Sequence, residues 1–131
     1  LPANKRGKTN NDFVLNVDLA PTILAAAGIA APIRMQGQNF APLYLAKQRP
    51  AWRNEFYYEH AIVLSKERIP ASEAVVRHKT KYIYWPDYGI EEFFDLAQDP
   101  LEEHNISKSP ARAKEIAVLR ERLKFWREQV K

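Results

Sequence analysis

The sequence predicts an α+β fold: a four-stranded antiparallel sheet with a C-terminal amphipathic helix on one face, preceded by a short helix and a long loop. Three observations predict it. Four aromatic or β-branched runs, Glu55–His60, Ser72–Arg77, Lys81–Trp85 and Glu91–Leu96, follow one another between turn-forming residues. Strands joined by short turns pair antiparallel. Ile116, Leu119, Leu123, Trp126 and Val130 recur at helical spacing and form one apolar stripe. Between these regions, Glu91–Ile106 changes from strand to helical period at Asp99-Pro100, converting sheet into helix.

Taken in order, Leu1–Asn11 is a polar arm, and its Lys5, Arg6 and Lys8 read as solvated charges rather than a binding site. Asp18 is placed to cap a helix from Leu19 to about Ala27, with its carboxylate directed at Ala20. Pro21 falls in the first turn, and Gly28 stops the helix at C′. From Gly28 to Arg53, prolines and Gly37 mark a connection, with one or two helical turns at Ala41–Leu45. A connection of this length is expected to wrap over another surface. The division that follows is 1–53, arm, short helix and wrapping loop, and 54–131, sheet and helix.

Within the second part, His78-Lys79-Thr80 and Pro86–Gly89 are the hairpin turns. Asp99 and Pro100 are expected to start one helical turn at Leu101–His104, with Glu102 and Glu103 near its positive end. Ser109 caps the last helix, whose opposite side carries Lys114, Glu121, Arg122 and Glu128. Alternation points Ile83 and Trp85 one way and Tyr82 and Tyr84 the other, while Phe56 and Tyr58 oppose Tyr57. Both sheet faces are therefore bulky, and one helix covers only one of them. The second face is expected to meet something outside this chain.

Composition narrows the classes. The absence of cysteine excludes disulfides and thiolate metal sites, and leaves the compartment open. The net charge of +4 is small and dispersed. No apolar run approaches the roughly 18 residues of a membrane span, and no signal peptide is visible. A polar start at Leu1 without Met suggests a piece of a longer polypeptide.

Five segments in series resemble the C-terminal region of type I sulfatases, in the alkaline-phosphatase superfamily. They are Asn16–Thr22 with Ala27-Gly28; Gly37–Leu43; Trp52-Arg53 through Phe56–His60; Val76-Arg77 with Lys81-Tyr82; and Glu92–Leu96 through Asp99-Pro100, Glu102 and Asn105-Ile106. Phe93-Phe94 stands where the family has Leu-Tyr, and Ile106 where it has Leu. The resemblance covers almost everything after about residue 12. It implies a part that supports a catalytic domain and its substrate cleft. It implies calcium and a formylglycine in that N-terminal domain, with no cofactor held by this chain. The formylglycine motif, Cys/Ser-x-Pro/Ala-x-Arg, does not occur here, so the chain by itself is expected to be inactive. Partners implied are the catalytic domain and a sulfated glycan or other sulfate ester, with no membrane. The family suggests a periplasmic or secreted location.

The substrate-contact candidates are Glu59, His60 and Arg77. Glu59 and His60 could bond a sugar hydroxyl or a sulfate, and Arg77 could meet an anion; each also reads plainly as a strand-end or hairpin-edge residue. His78 and His104 lack a second ligand at metal spacing, so no metal site is expected. Two other functions compete. One is a stand-alone module in which Lys79, Lys81, Tyr82, Tyr84 and Trp85 form a basic aromatic platform for sulfated glycan or, less in keeping with the charge, nucleic acid. The other is the C-terminal part of a phosphonate or phosphodiester hydrolase.

Overall fold

The computed structural model describes residues 7, 9–61, 65 and 67–130. Lys5, Arg6, Lys8 and the centre of the 61–71 loop lie outside the described residues. The elements are α1 (Leu19–Ala26), α2 (Ala41–Leu45), β1 (Glu55–His60), β2 (Ser72–Arg77), β3 (Thr80–Trp85), β4 (Ile90–Asp95) and α3 (Ala113–Gln129), with 3-10 turns at Asn16–Asp18 and Pro110–Arg112. The chain divides into two units, Leu1–Arg53 and Asn54–Lys131.

In the second unit the strands lie in the order β1-β2-β3-β4, all antiparallel. This is the sheet that the alternating runs predict. β3 starts one residue earlier than expected: Thr80 is buried and pairs with Asp95, so the hairpin loop is His78-Lys79. β4 begins at Ile90, opposite Trp85, and Leu96 has left the strand.

Tyr57, Val75, Tyr82 and Phe93 stand in register across the four strands and therefore share one face. α3 lays Ile116, Leu119 and Leu123 onto that face, and these six residues from Val75 to Leu123 are the buried core, with Tyr57, Tyr84, Ile106 and Trp126 around it. Each such side chain contributes about 1.5–3 kcal/mol by leaving water. Four carboxylates on the sheet then meet four arginines from the C-terminal segment: Glu55 with Arg122, Glu73 with Arg127, Glu91 with Arg120 and Asp95 with Arg112. Arg122, expected on the solvent side of α3, is thus part of the helix–sheet seam.

Glu55 is the buried member of this set. Its carboxylate takes Arg77 and Arg122 and the Trp126 indole N–H at 3.0 Å. Burial pushes the Glu55 carboxyl up, but Arg122, Arg77 and Trp126 outweigh it and hold the group below its ordinary range.

The Glu91–Ile106 stretch does connect sheet to helix, but without the helical turn expected at Leu101–His104. Glu102 has φ 58°, which a helix cannot accommodate, and it reverses the chain after the Glu102 N–H bonds the Asp99 carbonyl at 3.2 Å. The Asp99 carboxylate instead accepts the N–H groups of Glu103 and His104, at 3.0 and 2.9 Å. The chain then returns along the outer edge of β4. Phe93 N–H donates to Asn105 Oδ1, and Ile106 N–H donates to the Phe93 carbonyl at 2.9 Å. α3 is entered through Pro110–Arg112, and the Ser109 hydroxyl makes no cap bond.

In the first unit, α1 ends in a Schellman motif: Gly28 has φ 73°, and the N–H groups of Gly28 and Ile29 donate to the carbonyls of Ala25 and Leu24. At the other end the expected cap bond from Asp18 to the helix is absent. The long connection carries one point of very close approach. A Cβ on Gly37 would fall on the Val17 carbonyl and 2.9 Å from Asp18 N, so only glycine lets the two backbones cross. Gly37→Ala is expected to destabilise this unit by about 1–3 kcal/mol, as forced overpacking does. Faster amide exchange at Gln38 checks this, and exchange unchanged from the parent chain contradicts it.

Candidate functional site

Two clusters carry the unusual chemistry, one in each unit. In the first, Asp18 is 0 % exposed and gathers the segment around itself. Its oxygens accept the N–H groups of Leu15 and Gln38, both at 2.8 Å. They also take the two terminal nitrogens of Arg53, one at 2.8 Å. The Thr22 hydroxyl donates to the Asp18 carbonyl at 2.7 Å and accepts the Phe40 N–H at 3.1 Å. Arg53 and the Trp52 indole both donate to the Phe13 carbonyl. Burial pushes the Asp18 carboxyl up, yet Arg53 and the two backbone N–H groups more than offset this, leaving it below the usual carboxylate range. Three of the five sequence segments therefore meet at one buried carboxylate. Reading along the chain missed Arg53, whose partner lies 35 residues away; the Trp52-Arg53 pair was the available signal.

In the second unit, the face of the sheet opposite α3 bears an open groove of about 410 Å³. Phe56, Tyr58, Val76, Ile83 and Trp85 line it, with Lys81 and Glu102 at one side. The Lys81 ammonium lies 2.7 Å from Glu102, and the Trp85 indole N–H donates to Glu92 at 2.9 Å. The positive φ at Glu102 is what carries its carboxylate to Lys81. His60 belongs to the same face by alternation, paired across from Ser72. Its Nδ1 is shut off from solvent and has no hydrogen-bond partner.

The basic aromatic platform does not form. Tyr82 is 1 % exposed under α3, Tyr84 shares that face, and Lys81 and Trp85 stand on the other. The strand period separates them. Nor does the chain bring Glu59, His60 and Arg77 together. Glu59 faces the α3 side beside Tyr57, whose hydroxyl is pushed up to about 12 by burial and by the Glu73 and Glu59 carboxylates. Arg77 is on that side too, at the far end of the β1–β2 pair, bonded to Glu55 at 2.8 and 2.9 Å.

One cluster contrasts with the sequence reading of His104: Asp99, Glu103 and His104 place ligand-type atoms within 4.8 Å of one another. It does not fit the calcium that the family resemblance implies. Calcium takes six to eight oxygens, whereas both Asp99 oxygens are engaged by backbone N–H groups and one of the three side chains offers nitrogen. With no cysteine and no formylglycine motif in the sequence, no chemical step through either group derives from these residues. Among the described residues no helix is long and apolar enough to cross a membrane.

The four-stranded antiparallel meander with its terminal helix, preceded by the Asp-Leu-Ala-Pro-Thr helix, carries the segments that resemble the C-terminal region of the type I sulfatases. The chain belongs to that family: residues 1–129 match the family described as N-sulphoglucosamine sulphohydrolase, C-terminal. It is 32 % identical to an N-acetylglucosamine-6-O-sulfatase of Bacteroides thetaiotaomicron over 98 % of this chain and 24 % of that protein. A solved structure of a protein in complex with its substrate D-glucosamine-2-N,6-O-disulfate superposes with a TM-score of 0.77 at 28 % identity, over 86 % of this chain and 24 % of that one. A phosphonate monoester hydrolase of Agrobacterium radiobacter shares the fold, with a TM-score of 0.69 at 19 % identity, over 87 % of this chain and 25 % of that one. The chain thus spans about a quarter of the length of the relatives it matches.

Proposed function

We propose that the chain is the C-terminal region of a sulfuric ester hydrolase acting on a sulfated glycan, and that it supports the catalytic domain and its cleft. The observation that carries this is the family match across residues 1–129. The names of the similar proteins favour a sulfated amino sugar or a polymer of one as substrate. On this reading calcium and formylglycine belong to the catalytic domain, and residues 1–53 form that domain's edge. Two features of the first unit support the last point. α1 is apolar around its circumference, and Ile23 is 67 % exposed, as expected of a helix made for a larger core. Leu19, Ile29 and Ile33 are also exposed.

The test is turnover of a sulfated glucosamine by the longer polypeptide, compared with this chain alone. Activity confined to the longer polypeptide is expected; turnover by residues 1–131 alone refutes the reading. Hydrolysis of a phosphonate ester in preference to the sulfate ester assigns the phosphonate hydrolase alternative.

A further inference from the structure

We propose that Glu55 is a proton-operated latch for α3: while charged it ties the helix to the sheet, and once neutral it leaves Arg77 to push the C-terminal half of the helix away. The carboxylate bridges two cations. One oxygen accepts Nε and a terminal nitrogen of Arg77 at 2.9 and 2.8 Å. The other accepts Arg122 Nε at 2.7 Å and the Trp126 indole N–H at 3.0 Å. Arg77 stands on β2, directly across from Glu55. Arg122 belongs to α3, where its guanidinium lies over the rings of Phe125 and Trp126, 4.5 and 5.7 Å from their centres. Two guanidiniums bonded to one carboxylate lie close together, one fixed to the sheet and one to the helix. A charged carboxylate holds both. A neutral one leaves two like charges facing each other across the seam.

No other anion nearby is placed to take over among the described residues. Glu73 is matched by Arg127, Glu91 by Arg120 and Asp95 by Arg112. On α3 itself, Glu115 and Glu121 are bonded to Arg112 and Lys124, and Glu128 is exposed. On β1, Tyr57 shares the Glu55 face, and Glu59 is at the far end of the strand. The apolar hold on this part of the helix is small: beyond Leu119, Leu123 is buried and Trp126 partly so. The strands pair in sequence order through their own ladders, so this end of α3 can leave without unpairing them. Burial raises the Glu55 carboxyl, and Arg122, Arg77 and Trp126 together lower it by more, so its folded value lies below the ordinary one. The latch is therefore fully closed above the unfolded glutamate range, near pH 4, and opens as pH falls through the lower folded value.

The experiment is amide exchange on the full-length protein, read by mass spectrometry and corrected for the intrinsic rate. Residues 122–129 report the latch, and β3 is the reference. At neutral pH, Glu55→Gln should lower protection in residues 122–129 by roughly a hundredfold, the scale of a buried pair broken on one side, with β3 much less affected. The second variant joins Glu55→Gln to Arg77→Gln. It removes the opposing charge and should restore most of the lost protection, although more hydrogen bonds have gone. If Glu55 merely bonds and packs, the second substitution adds damage instead. That outcome overturns the proposal, whether or not Glu55→Gln alone keeps the sheet folded. In the parent, protection of residues 122–129 should fall as the solution is acidified below about pH 4, and the double variant should show a smaller fall. Equal falls in the two proteins overturn the latch.

Discussion

Asp18→Ala should be the most damaging single change in the first unit, destabilising it by about 3–5 kcal/mol, the range for breaking a buried ion pair by removing one member. The physical loss is specific. Arg53 keeps its charge in a nearly closed site, and the N–H groups of Leu15 and Gln38 lose their acceptor together. Amide exchange at Gln38 is the direct measurement, and it should speed up roughly a hundredfold or more. Asp18→Asn, which retains one acceptor oxygen, should fall between the parent and the alanine variant. A Gln38 amide equally protected in all three would show that the carboxylate does not organise this segment. Acid should imitate the substitution. Because the folded Asp18 carboxyl lies below its ordinary value, its contribution is complete above the unfolded carboxylate range, near pH 4, and is lost as pH falls through the lower folded value.

Phe93→Ala should do comparable harm to the second unit, again about 3–5 kcal/mol. Phe93 is 0 % exposed, stands beside Tyr82 in the sheet and belongs to the core that Ile116, Leu119 and Leu123 complete, so its loss opens a cavity in that core. At roughly 4–8 °C per kcal/mol for a domain of this size, the midpoint should drop by more than about 10 °C. Val118→Ala is the matched control. Val118 lies on the outer side of α3, 52 % exposed, and should shift stability by no more than about 0.5 kcal/mol. Similar losses in the two variants, measured by thermal or urea unfolding, would remove Phe93 from the core.

The sheet and α3 were legible in the sequence because their patterns are local. Period-two alternation assigned Tyr82 and Ile83 to opposite faces, and the stripe of Ile116, Leu119 and Leu123 gave the covered side. The turn at Glu102 was not legible. A left-handed residue is usually announced by glycine or asparagine, and here a glutamate holds that conformation with its carboxylate on Lys81. Arg122 looked solvated because its partner Glu55 is 67 residues distant. The same distance problem hid the Asp18–Arg53 pair behind an ordinary capping signal. Glu59 and His60 looked like one site because they are adjacent, but adjacency in a strand places side chains on opposite faces. The groove itself is a sum over three strands and the Glu102 turn, and no single stretch announces it.

The return of Asn105 and Ile106 along β4 has a consequence for how molecules of this lobe meet in concentrated solution. Their bonds to Phe93 occupy part of the margin that another molecule's strand could recruit. Self-templated growth along the β4 margin is thereby disfavoured. A ribbon partly stitched along one flank leaves less backbone there for a second molecule to recruit, even though its broad side is greasy.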